Sequence, residues 1–500
     1  MTITIYRSIA ALTLATSSVG VLAQSTASTS ACSTSITPSY AAPSVAAGYE
    51  ARLIATNLTK PRSVLFDANG NLLVVQQGKG IVSLNLTDNG GACLSVGKSH
   101  DVILDSSHKQ GALTHGIALS RDGRTLYASS PEAVFSWVYD PASSRNSSGP
   151  SVVVNNMNTS DHTTRTLLLP NRAPGMLVVT RGSTSNLDLE TLDVSTGHSQ
   201  VKAFNLTNAT ATYNFDTDGL LMGWGLRNEV GVAEEPLTGG IYGVENSVDN
   251  LIRDGQDIHQ NNPGEELNFL GYVNGTSSPE QGMNFGYPTC YAAWNVSAIP
   301  NNTGLQVGSQ FAIGTPNATV NDTLCAERAA PRLTFQAHMA PLDILFNQNG
   351  TAAWVTFHGS WDRTEPVGYK LSVVQFANGA PVDPSNSTTA AVDIVSNRDN
   401  SACPNGCFRP VGLAWDTKGR LYMSSDATGE IYVVIRSDGN ATSSAGSASP
   451  SSIPSASGSA GSSGTGSAVT ATSTKAAAVK NGAQSSSALA VAVGLIYLLF

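Results

Sequence analysis

The stretch PRSVLFDANGNLLVVQQ, residues 61–77, decides the fold. Apolar and polar residues alternate on both sides of a short Asp-Ala-Asn-Gly turn, and a period of two around such a turn predicts a β-hairpin. The pattern recurs in THGIALSRDGRTLYASS (114–130), APLDILFNQNGTAAWVTFH (340–358) and RPVGLAWDTKGRLYMSS (409–425). It recurs more loosely in NRAPGMLVVTRGSTSNLD (171–188) and NEVGVAEEPLTGGIYGVEN (228–246). One hairpin is therefore repeated along the chain.

Six hairpins at an irregular spacing of about 45 to 110 residues favour an all-β fold: a six-bladed β-propeller of four-stranded blades, with insertions in blades four and five. We assign this domain to residues 47–438. A β-sandwich is the alternative, but two packed sheets would not require one hairpin pattern six times. Residues 222–272, which are rich in Asn, Asp, Glu and Gly, then form a loop region across the end of the central channel.

The two ends of the chain predict its location. Arg7 and the apolar run after it are typical of a cleaved signal peptide, residues 1–23, which an N-terminal segment follows at 24–46. Ser, Gly, Ala, Thr and Pro dominate residues 439–480, which predicts a disordered tail. Residues 481–500 end in an apolar run shorter than the roughly 20 residues of a membrane-spanning helix. This favours a glycosylphosphatidylinositol-anchor signal over a C-terminal membrane helix, and hence a secreted, extracellular protein held at the membrane by a lipid anchor.

Cysteine usage and charge narrow the class of protein further. Six cysteines in an oxidising compartment predict three disulfides, and the pairs that we expect are Cys403–Cys407, Cys290–Cys325 and Cys32–Cys93. Numerous Asn-x-Ser/Thr sequons suit a glycosylated surface. The net charge of −9 comes without a basic stripe, which excludes a nucleic-acid partner. The expected partner is a small molecule or another extracellular protein.

Polar side chains recur at two positions of the hairpin repeat. In a propeller the first strand of each blade lines the central channel, so residues just before it and just after the second strand meet at one mouth of that channel. The first position holds Arg62, His115, Arg227 with Asn228, His338 and Arg409, and the second holds Gln76, Gln77, Arg181, His358 and Arg363. Because blade packing needs only apolar side chains and Gly, these groups predict a ligand site at the channel mouth.

The residue types at this mouth indicate the kind of ligand. Arg guanidinium groups bind carboxylates through two parallel hydrogen bonds and keep their charge at any working pH. The loop NNPGEELN (261–268) and the nearby Asp257 offer carboxylate and carbonyl oxygens, which select Ca²⁺ or Mg²⁺. The site therefore suits a planar polyanion that is held partly through a cation.

Six ordered motifs resemble one known family. They are GLRNEVGVAEEPLTGGIYGVENSVDNL (225–251), DIHQNNPGEELNFLG (257–271), MNFGYPTCYAAW (283–294), AHMAPLDILF (337–346), FHGSWDRTEPVGYKL (357–371) and RPVGLAWD (409–416). They are similar to the pyrroloquinoline-quinone (PQQ)-dependent sugar dehydrogenases, namely the soluble glucose and sorbosone dehydrogenase group with its fungal pyranose dehydrogenase branch. The resemblance covers residues 49–435 and implies a six-bladed propeller that holds PQQ and Ca²⁺ at the channel mouth.

The resemblance also implies roles for individual residues. His115 would be the general base that takes the proton of a sugar hydroxyl, and Arg227 would stabilise the negative charge on the quinone oxygen. The expected cofactor-binding residues are Gln77, Arg181, Arg227, Asn228, His338, Arg363, Lys370 and Arg409. Backbone carbonyls of Gln260 and Asn261 would bind the metal.

The implied activity is oxidation of a pyranose or related aldose by hydride transfer to the quinone. The chain has no Cys-x-x-Cys-His haem motif, so the electrons would pass to an external acceptor such as a cytochrome or another extracellular redox protein. Two alternatives remain at this point. One is a Ca²⁺-dependent propeller lactonase or esterase, and the other is a non-catalytic cell-surface receptor, since a fold alone does not fix activity.

Overall fold

The structure is a computed structural model that describes residues 32, 35–105, 111–208 and 211–444. The chain divides into two units, residues 1–35 and 36–500, and every strand and helix below belongs to the second. The signal peptide and the anchor signal predicted from the sequence lie outside the described residues, as does the stalk beyond residue 444. Among the described residues, no helix is both long and apolar enough to cross a membrane.

The fold is a six-bladed β-propeller, which confirms the prediction from the hairpin repeat. Blade 1 consists of Pro61–Phe66, Leu72–Gln76, Gly80–Asp88 and Leu94–Leu104. Blade 2 consists of Ile117–Leu119, Thr125–Ser129, Val134–Asp140 and Ser151–Asn155. Blade 3 consists of Leu167–Leu168, Met176–Arg181, Gln200–Asn205 and Leu220–Trp224.

The other three blades follow in chain order. Blade 4 consists of Glu229–Glu234, Gly240–Glu245, Glu265–Tyr272 and Leu333–Phe335. Blade 5 consists of Pro341–Phe346, Ala352–Phe357, Lys370–Ala377 and Ala391–Ser396. Blade 6 takes Pro410–Trp415, Leu421–Ser425 and Glu430–Arg436 from the end of the chain and Tyr49–Ala55 from its beginning. The first strands of successive blades contact one another, and that of blade 6 contacts that of blade 1, so the ring is closed.

Shorter elements decorate the blades. Single short strands add to blades 2 and 5, and they are Ser44–Val45, Arg145–Asn146, Tyr213–Asn214 and Ala380–Pro381. Two small hairpins pair Ile252–Arg253 with Gln256–Asp257 and Cys290–Ala292 with Gln310–Ala312. The α-helix is Asp322–Cys325, and the 3₁₀ turns are Leu189–Leu192, Val194–Thr196, Leu206–Asn208, Val296–Ala298, Asn400–Ala402 and Thr442–Ser444.

Local hydrogen bonds explain why the repeated stretches fold as hairpins. In blade 1 the Asp67 carboxylate accepts the backbone N–H groups of Asn69 and Asn71. Asp416 closes the equivalent turn of blade 6 in the same way, and Asn347 that of blade 5. An Asp or Asn at the start of the turn replaces ladder bonds that the reversing backbone cannot make. Buried apolar clusters then fill the space between neighbouring blades.

The largest insertion lies in blade 4, between its third and fourth strands, residues 273–332. The disulfide Cys290–Cys325 staples this insertion, and Cys403–Cys407 closes a tight loop just before blade 6, so both predicted pairs are confirmed. Cys32 and Cys93 are also disulfide-bonded, and their mutual pairing stays a prediction. No described cysteine is free.

Candidate active site

A cavity of about 440 Å³ opens at one mouth of the channel, and its lining residues come from blades 1, 4, 5 and 6 and from the segment that precedes blade 3. Its charged and imidazole-bearing lining residues are Lys60, Arg62, Arg227, Arg409, His162, His338, His358, Asp161, Asp249, Glu265, Asp362 and Asp426. The volume lies within the roughly 300–1,000 Å³ of small-molecule sites. The repeat thus brings polar groups from separate blades to one cavity.

Five of the residues predicted to bind the cofactor line this cavity: Gln77, Arg227, Asn228, His338 and Arg409. Arg227 is held rigidly, because its guanidinium donates to Asn186 and pairs with Asp249 at 2.9 Å. Arg409 donates to the backbone carbonyls of His358 and Gly359, so it is fixed at the rim in the same manner.

His115, predicted as the general base, is not among the cavity-lining residues. It is 1% exposed, and its Nδ1 accepts a hydrogen bond from Arg62 Nε at 3.2 Å. Because a guanidinium can only donate, Nδ1 is the unprotonated nitrogen of this ring and is already occupied. Burial and the adjacent Arg62 charge hold the pKa of His115 well below its usual range. The structure therefore does not bring His115 to the cavity lining; its ring hydrogen-bonds to Arg62, which does line the cavity.

His162 offers what His115 lacks. It lines the cavity, and its Nδ1 lies 2.8 Å from Ser183 Oγ. The Ser183 hydroxyl donates to the carbonyl of Ser185, so its oxygen accepts from His162 and Nδ1 carries the proton. Nε2 is then the basic nitrogen. Burial, followed by the positive charge of Arg227, holds the pKa of His162 well below its usual range, which keeps the ring neutral.

Gly182 permits the close approach of His162 and Asn228. A Cβ at this position would lie 2.6 Å from Asn228 Oδ1 and 2.7 Å from His162 Cβ. No side chain fits there without displacing one of the two. The Asn228 Oδ1 also lies 3.4 Å from the Thr164 hydroxyl, which donates to it. The His162 imidazole, the Asn228 amide and the Arg227 backbone carbonyl, which accepts the Ser183 N–H, therefore form one braced unit.

A second polar network joins blades 1, 5 and 6 at the mouth. Arg62 Nη1 pairs with Asp426 at 2.6 Å, and His358 Nε2 lies 2.8 Å from the other oxygen of the same carboxylate. Burial raises the pKa of Asp426, but its contact with His358, followed by the Arg62 and Arg409 charges, holds that pKa well below its usual range. Burial and then the Arg409 charge lower the pKa of His358 to about 4. Asp426 thus stays ionised and anchors the cationic side of the cavity.

Three further predicted residues lie away from the cavity lining. Arg181 pairs with Asp216 at 2.5 Å, and Lys370 pairs with Asp393 at 2.8 Å. Arg363 donates to the carbonyl of Glu365 within its own loop. Their predicted roles rest on a position after a second strand or on the family resemblance. In the structure each side chain contacts a nearby partner that the hairpin pattern does not reveal.

The predicted metal ligands also lie away from the cavity lining. The Gln260 amide oxygen accepts the N–H of Thr364, and its nitrogen lies 2.7 Å from the ring of His259. The backbone carbonyl of Asn261 accepts the N–H of Asn295 at 3.3 Å, a long contact within the same loop region. In the structure these residues form hydrogen bonds within the loops at the mouth. A different set of possible metal ligands lines the cavity.

That group is Asp249, His338 and Asp362, whose ligand atoms lie within 4.8 Å of one another. His338 Nε2 donates to the carbonyl of His259, so its unprotonated Nδ1 faces Asp362 at 3.4 Å and Asp249 at 3.8 Å. The Asp362 side chain is only 4% exposed, and both of its oxygens lack a hydrogen-bond partner. His338 also adopts a left-handed backbone with φ of 65°. A lone pair between buried carboxylates is the arrangement that a cation stabilises.

Sequence reasoning missed His162, Asp249 and Asp362, although one signal was available. The predicted rim residues lie just before the first strand in five blades, and blade 3 is the blade without one. The segment Asp-His-Thr-Thr, residues 161–164, precedes Leu167–Leu168, the first strand of that blade. The carboxylates Asp249 and Asp362 lie in loops after second strands, where several acidic residues compete and the sequence does not rank them.

The donor set fits PQQ, a planar tricycle with three carboxylates. Four cations from blades 1, 4 and 6 line the cavity: Lys60, Arg62, Arg227 and Arg409. Such groups bind carboxylates strongly when they are desolvated and braced. The fold and site together define a propeller with a cationic channel mouth, a buried neutral imidazole at His162 and an adjoining carboxylate group for a cation.

Comparison with known proteins identifies the family. A family model described as TrAA12-like matches residues 43–437, so the chain belongs to this family and the resemblance seen in its motifs is confirmed. The chain is 49% identical over 414 residues to a "Pyrroloquinoline quinone-dependent sugar dehydrogenase" of Hypocrea jecorina (strain QM6a), covering 80% of this chain and 91% of that protein.

Two further proteins support this placement. The chain is 35% identical over 413 residues to a PQQ-dependent pyranose dehydrogenase of Coprinopsis cinerea, covering 79% of this chain but only 55% of that protein's length. The solved PQQ domain of a Coprinopsis cinerea pyranose dehydrogenase superposes with a TM-score of 0.74 at 35% identity, covering 81% of this chain and 99% of the domain. A calcium structure of a Trichoderma reesei family AA12 enzyme superposes with a TM-score of 0.77 at 48% identity, covering 81% of this chain and all of that one.

Proposed function

We propose that this chain is a PQQ-dependent dehydrogenase that oxidises a pyranose or related sugar at a CH–OH group, with Ca²⁺ beside the cofactor. The relatives named above carry the cofactor and the sugar class in their names. The observation in this chain that carries the proposal is the presence of a neutral, cavity-facing His162 with three braced arginines, Arg62, Arg227 and Arg409, around the same cavity.

PQQ supplies, when bound, the acceptor for the hydride that leaves the sugar carbon. The residues of the chain bind the cofactor, take up the proton and stabilise the developing charge. Lys60, Arg62 and Arg409 hold carboxylates, and the Asp426 carboxylate keeps Arg62 in place. His162 Nε2 takes the proton of the sugar hydroxyl as the carbon is oxidised to a carbonyl. Arg227 and Asn228 stabilise the negative charge that develops on the acceptor side of the cavity.

Within the proposal the metal site is formed by Asp249 and Asp362, since Ca²⁺ prefers oxygen ligands. His338 closes the same group, and imidazole is a less usual ligand for Ca²⁺ than for transition metals. The ion would supply positive charge next to the cofactor. Gln260 and Asn261 would brace the loops that present these carboxylates.

We further propose that the protein is extracellular, that a lipid anchor attaches it to the membrane, and that it passes electrons to an external acceptor. Two disulfides brace loops of the propeller, and disulfides are typical of oxidising compartments. The electrons that leave the sugar must reach an acceptor outside this domain before a second turnover.

Reconstitution tests the proposal. Purified protein freed of ligands is mixed with PQQ and CaCl₂, and sugar-dependent bleaching of an artificial electron acceptor is followed for a panel of pyranoses. We expect turnover only when PQQ, metal and sugar are all present. Ester or lactone hydrolysis with metal alone would instead indicate a propeller lactonase. Sugar binding without turnover would indicate a receptor.

A further inference from the structure

The loop that carries His162 joins blade 2 to blade 3 without regular secondary structure. It comprises residues 156–166, between the strands Ser151–Asn155 and Leu167–Leu168. Because these residues belong to no sheet, their buried backbone groups need partners other than a neighbouring strand. His162 is only 8% exposed, so the partners of its backbone must come from the protein itself.

Arg165 gathers this loop around its guanidinium. Its Nη1 donates to the carbonyl of His162 at 2.8 Å and to that of Thr164 at 2.6 Å. Its Nη2 donates to the carbonyl of Met157 at 2.6 Å and to the Thr159 hydroxyl at 2.8 Å. The beginning and the end of the loop are therefore held by the two ends of one planar, rigid fork.

The guanidinium of Arg165 is fully buried, and no carboxylate forms an ion pair with it in the described part of the chain. Burial of a charge without an opposite charge is costly. Arg253, which is also buried, has the more usual arrangement, since it pairs with Asp322 at 2.7 Å. Arg165 thus organises backbone carbonyls and does not neutralise an acid.

The backbone of His162 is where these contacts converge. Its carbonyl accepts from Arg165 and also from the Thr159 hydroxyl at 2.7 Å, so both of its lone pairs are used. Ser183 holds the opposite part of the residue through the ring Nδ1. Because the backbone and the ring are fixed by separate contacts, the position of Nε2 is fixed as well.

We propose that Arg165 positions His162 for proton abstraction and that the Thr159 hydroxyl assists it. This inference rests on the proposed function, since it takes His162 as the base. Neither Arg165 nor Thr159 lines the cavity, so both act through the loop and not on the sugar or the cofactor. Misplacement of a catalytic group by about 1 Å lowers a rate by about 100-fold, so loss of the fork should be measurable.

Arg165→Lys tests the geometry while it keeps the charge, because an ammonium group cannot hold four acceptors in the directions of a planar fork. We expect kcat to fall by about 10- to 100-fold, with the KM for the sugar and the affinity for PQQ nearly unchanged. Arg253→Lys is the matched control, since it removes a buried fork from the blade 4 insertion. It should lower the Tm but not kcat. An unchanged kcat in folded Arg165→Lys would overturn the proposal.

Thr159→Val and Thr159→Ser separate the hydrogen bond from the packing. Val keeps the volume but removes the hydroxyl, so the His162 carbonyl loses a donor and Arg165 loses an acceptor. We expect kcat to fall by about 3- to 10-fold, the effect of one hydrogen bond. Ser keeps the hydroxyl and should restore most of this loss. Equal losses in the two variants would remove Thr159 from the proposal.

An NMR titration of the protein without PQQ gives a readout that does not need turnover. Burial, then the charges of Arg227 and Arg165, lower the pKa of His162. The signal of His162 in protein with labelled histidines is identified by its loss in His162→Gln. Removal of the charge in Arg165→Met should raise this pKa, whereas Arg165→Lys should leave it low.

An unchanged pKa of His162 in Arg165→Met would contradict the contact between the two residues. If Arg165→Met does not fold, the Arg165→Lys and Thr159 variants still decide the question. Because the titration uses ligand-free protein, failure of the proposed sugar oxidation would leave its result unchanged. The positioning of His162 and the proposed activity therefore fail separately.

Discussion

The proposed role of His162 as a base depends on neighbours that fix two properties of its ring, the tautomer and the protonation state. Ser183 sets the tautomer, and Arg227 together with burial keeps the ring unprotonated. His115 shows the reverse arrangement, because Arg62 occupies the nitrogen that would act as a base. Both residues precede the first strand of a blade. The hairpin pattern points to both positions, but the contacts that distinguish the two imidazoles are long-range and cannot be read from it.

Replacement of His162 by Ala should lower kcat by about 10²- to 10⁴-fold, the usual contribution of a general base. PQQ binding should be nearly retained, since the cations that hold it are untouched. Steady-state kinetics and a PQQ titration of the same sample measure the two effects. His115→Ala is the matched control and should change kcat far less. A slower His115 variant beside an unaffected His162 variant would reverse the assignment.

The pH dependence of kcat/KM follows from the depressed pKa of His162. A base acts in its neutral form, so activity is lost as the pH falls through the pKa of the free enzyme. Burial and Arg227 move that pKa below the ordinary value of about 6.5. The acidic limb should therefore lie below pH 6.5, as a pH–rate profile with a non-titrating acceptor would show. A limb at or above pH 6.5 would contradict the assignment.

The strand-to-loop junction of blade 3 sets the distance between His162 and Asn228. Gly182→Ala should lower kcat/KM by about 100-fold, because misplacement of a catalytic group by about 1 Å has an effect of that size. Gly149 has open space around its Cα, so Gly149→Ala should behave as the unmodified chain. Kinetics of the two variants, each checked for an unchanged melting curve, compare the positions. Equal activities would remove the steric argument.

The first strand of blade 5 is coupled to blade 6 through Asp343, whose carboxylate accepts the N–H of Leu413 at 2.8 Å. Burial raises the pKa of Asp343 to about 7. The folded chain therefore holds this proton at pH values where the unfolded chain has released it. The stability that it contributes is complete below about pH 4 and is lost as the pH rises through 7.

Asp343→Asn should flatten that part of the stability–pH curve. Denaturant unfolding between pH 4 and 8 measures the slope for both proteins. The variant is expected to lose some stability at every pH, because Asn has one acceptor oxygen where Asp has two and therefore accepts backbone N–H groups less well. An unchanged slope would show that another group controls the titration.

Closure of blade 6 by strands from both ends makes the propeller one cooperative unit. Ile54 on the N-terminal strand is fully buried between blades 6 and 1. Ile54→Ala should reduce the free energy of unfolding by about 2–5 kcal/mol. Loss of PQQ binding and loss of sheet signal should still coincide in urea. Ile252, which is 53% exposed, provides a control whose replacement by Ala should cost less than about 0.5 kcal/mol.

The parts of the fold that depend on neighbouring residues in the sequence could be predicted. Asp67 and Asp416 stabilise their turns through hydrogen bonds to nearby backbone N–H groups. Alternating apolar and polar residues on either side of each turn predict the strands. The inner hairpins can therefore be predicted from a few residues each. The blade 4 insertion was not predictable in detail, since its short hairpins depend on a disulfide and on contacts with the sheet. Arg181 and Lys370 lie away from the cavity lining, where they pair with Asp216 and Asp393, and the hairpin pattern does not reveal these partners.

The sharing of blade 6 between both ends also has a consequence for how the protein is made. The Tyr49–Ala55 strand leaves the ribosome early, but its partner Glu430–Arg436 follows roughly 380 residues later. At roughly 5–20 residues per second, translation leaves that edge unpaired for about 20 to 75 seconds. During this interval an apolar strand is exposed to every other nascent chain nearby. We therefore expect newly made chains to be prone to aggregation at this edge until the last strand docks.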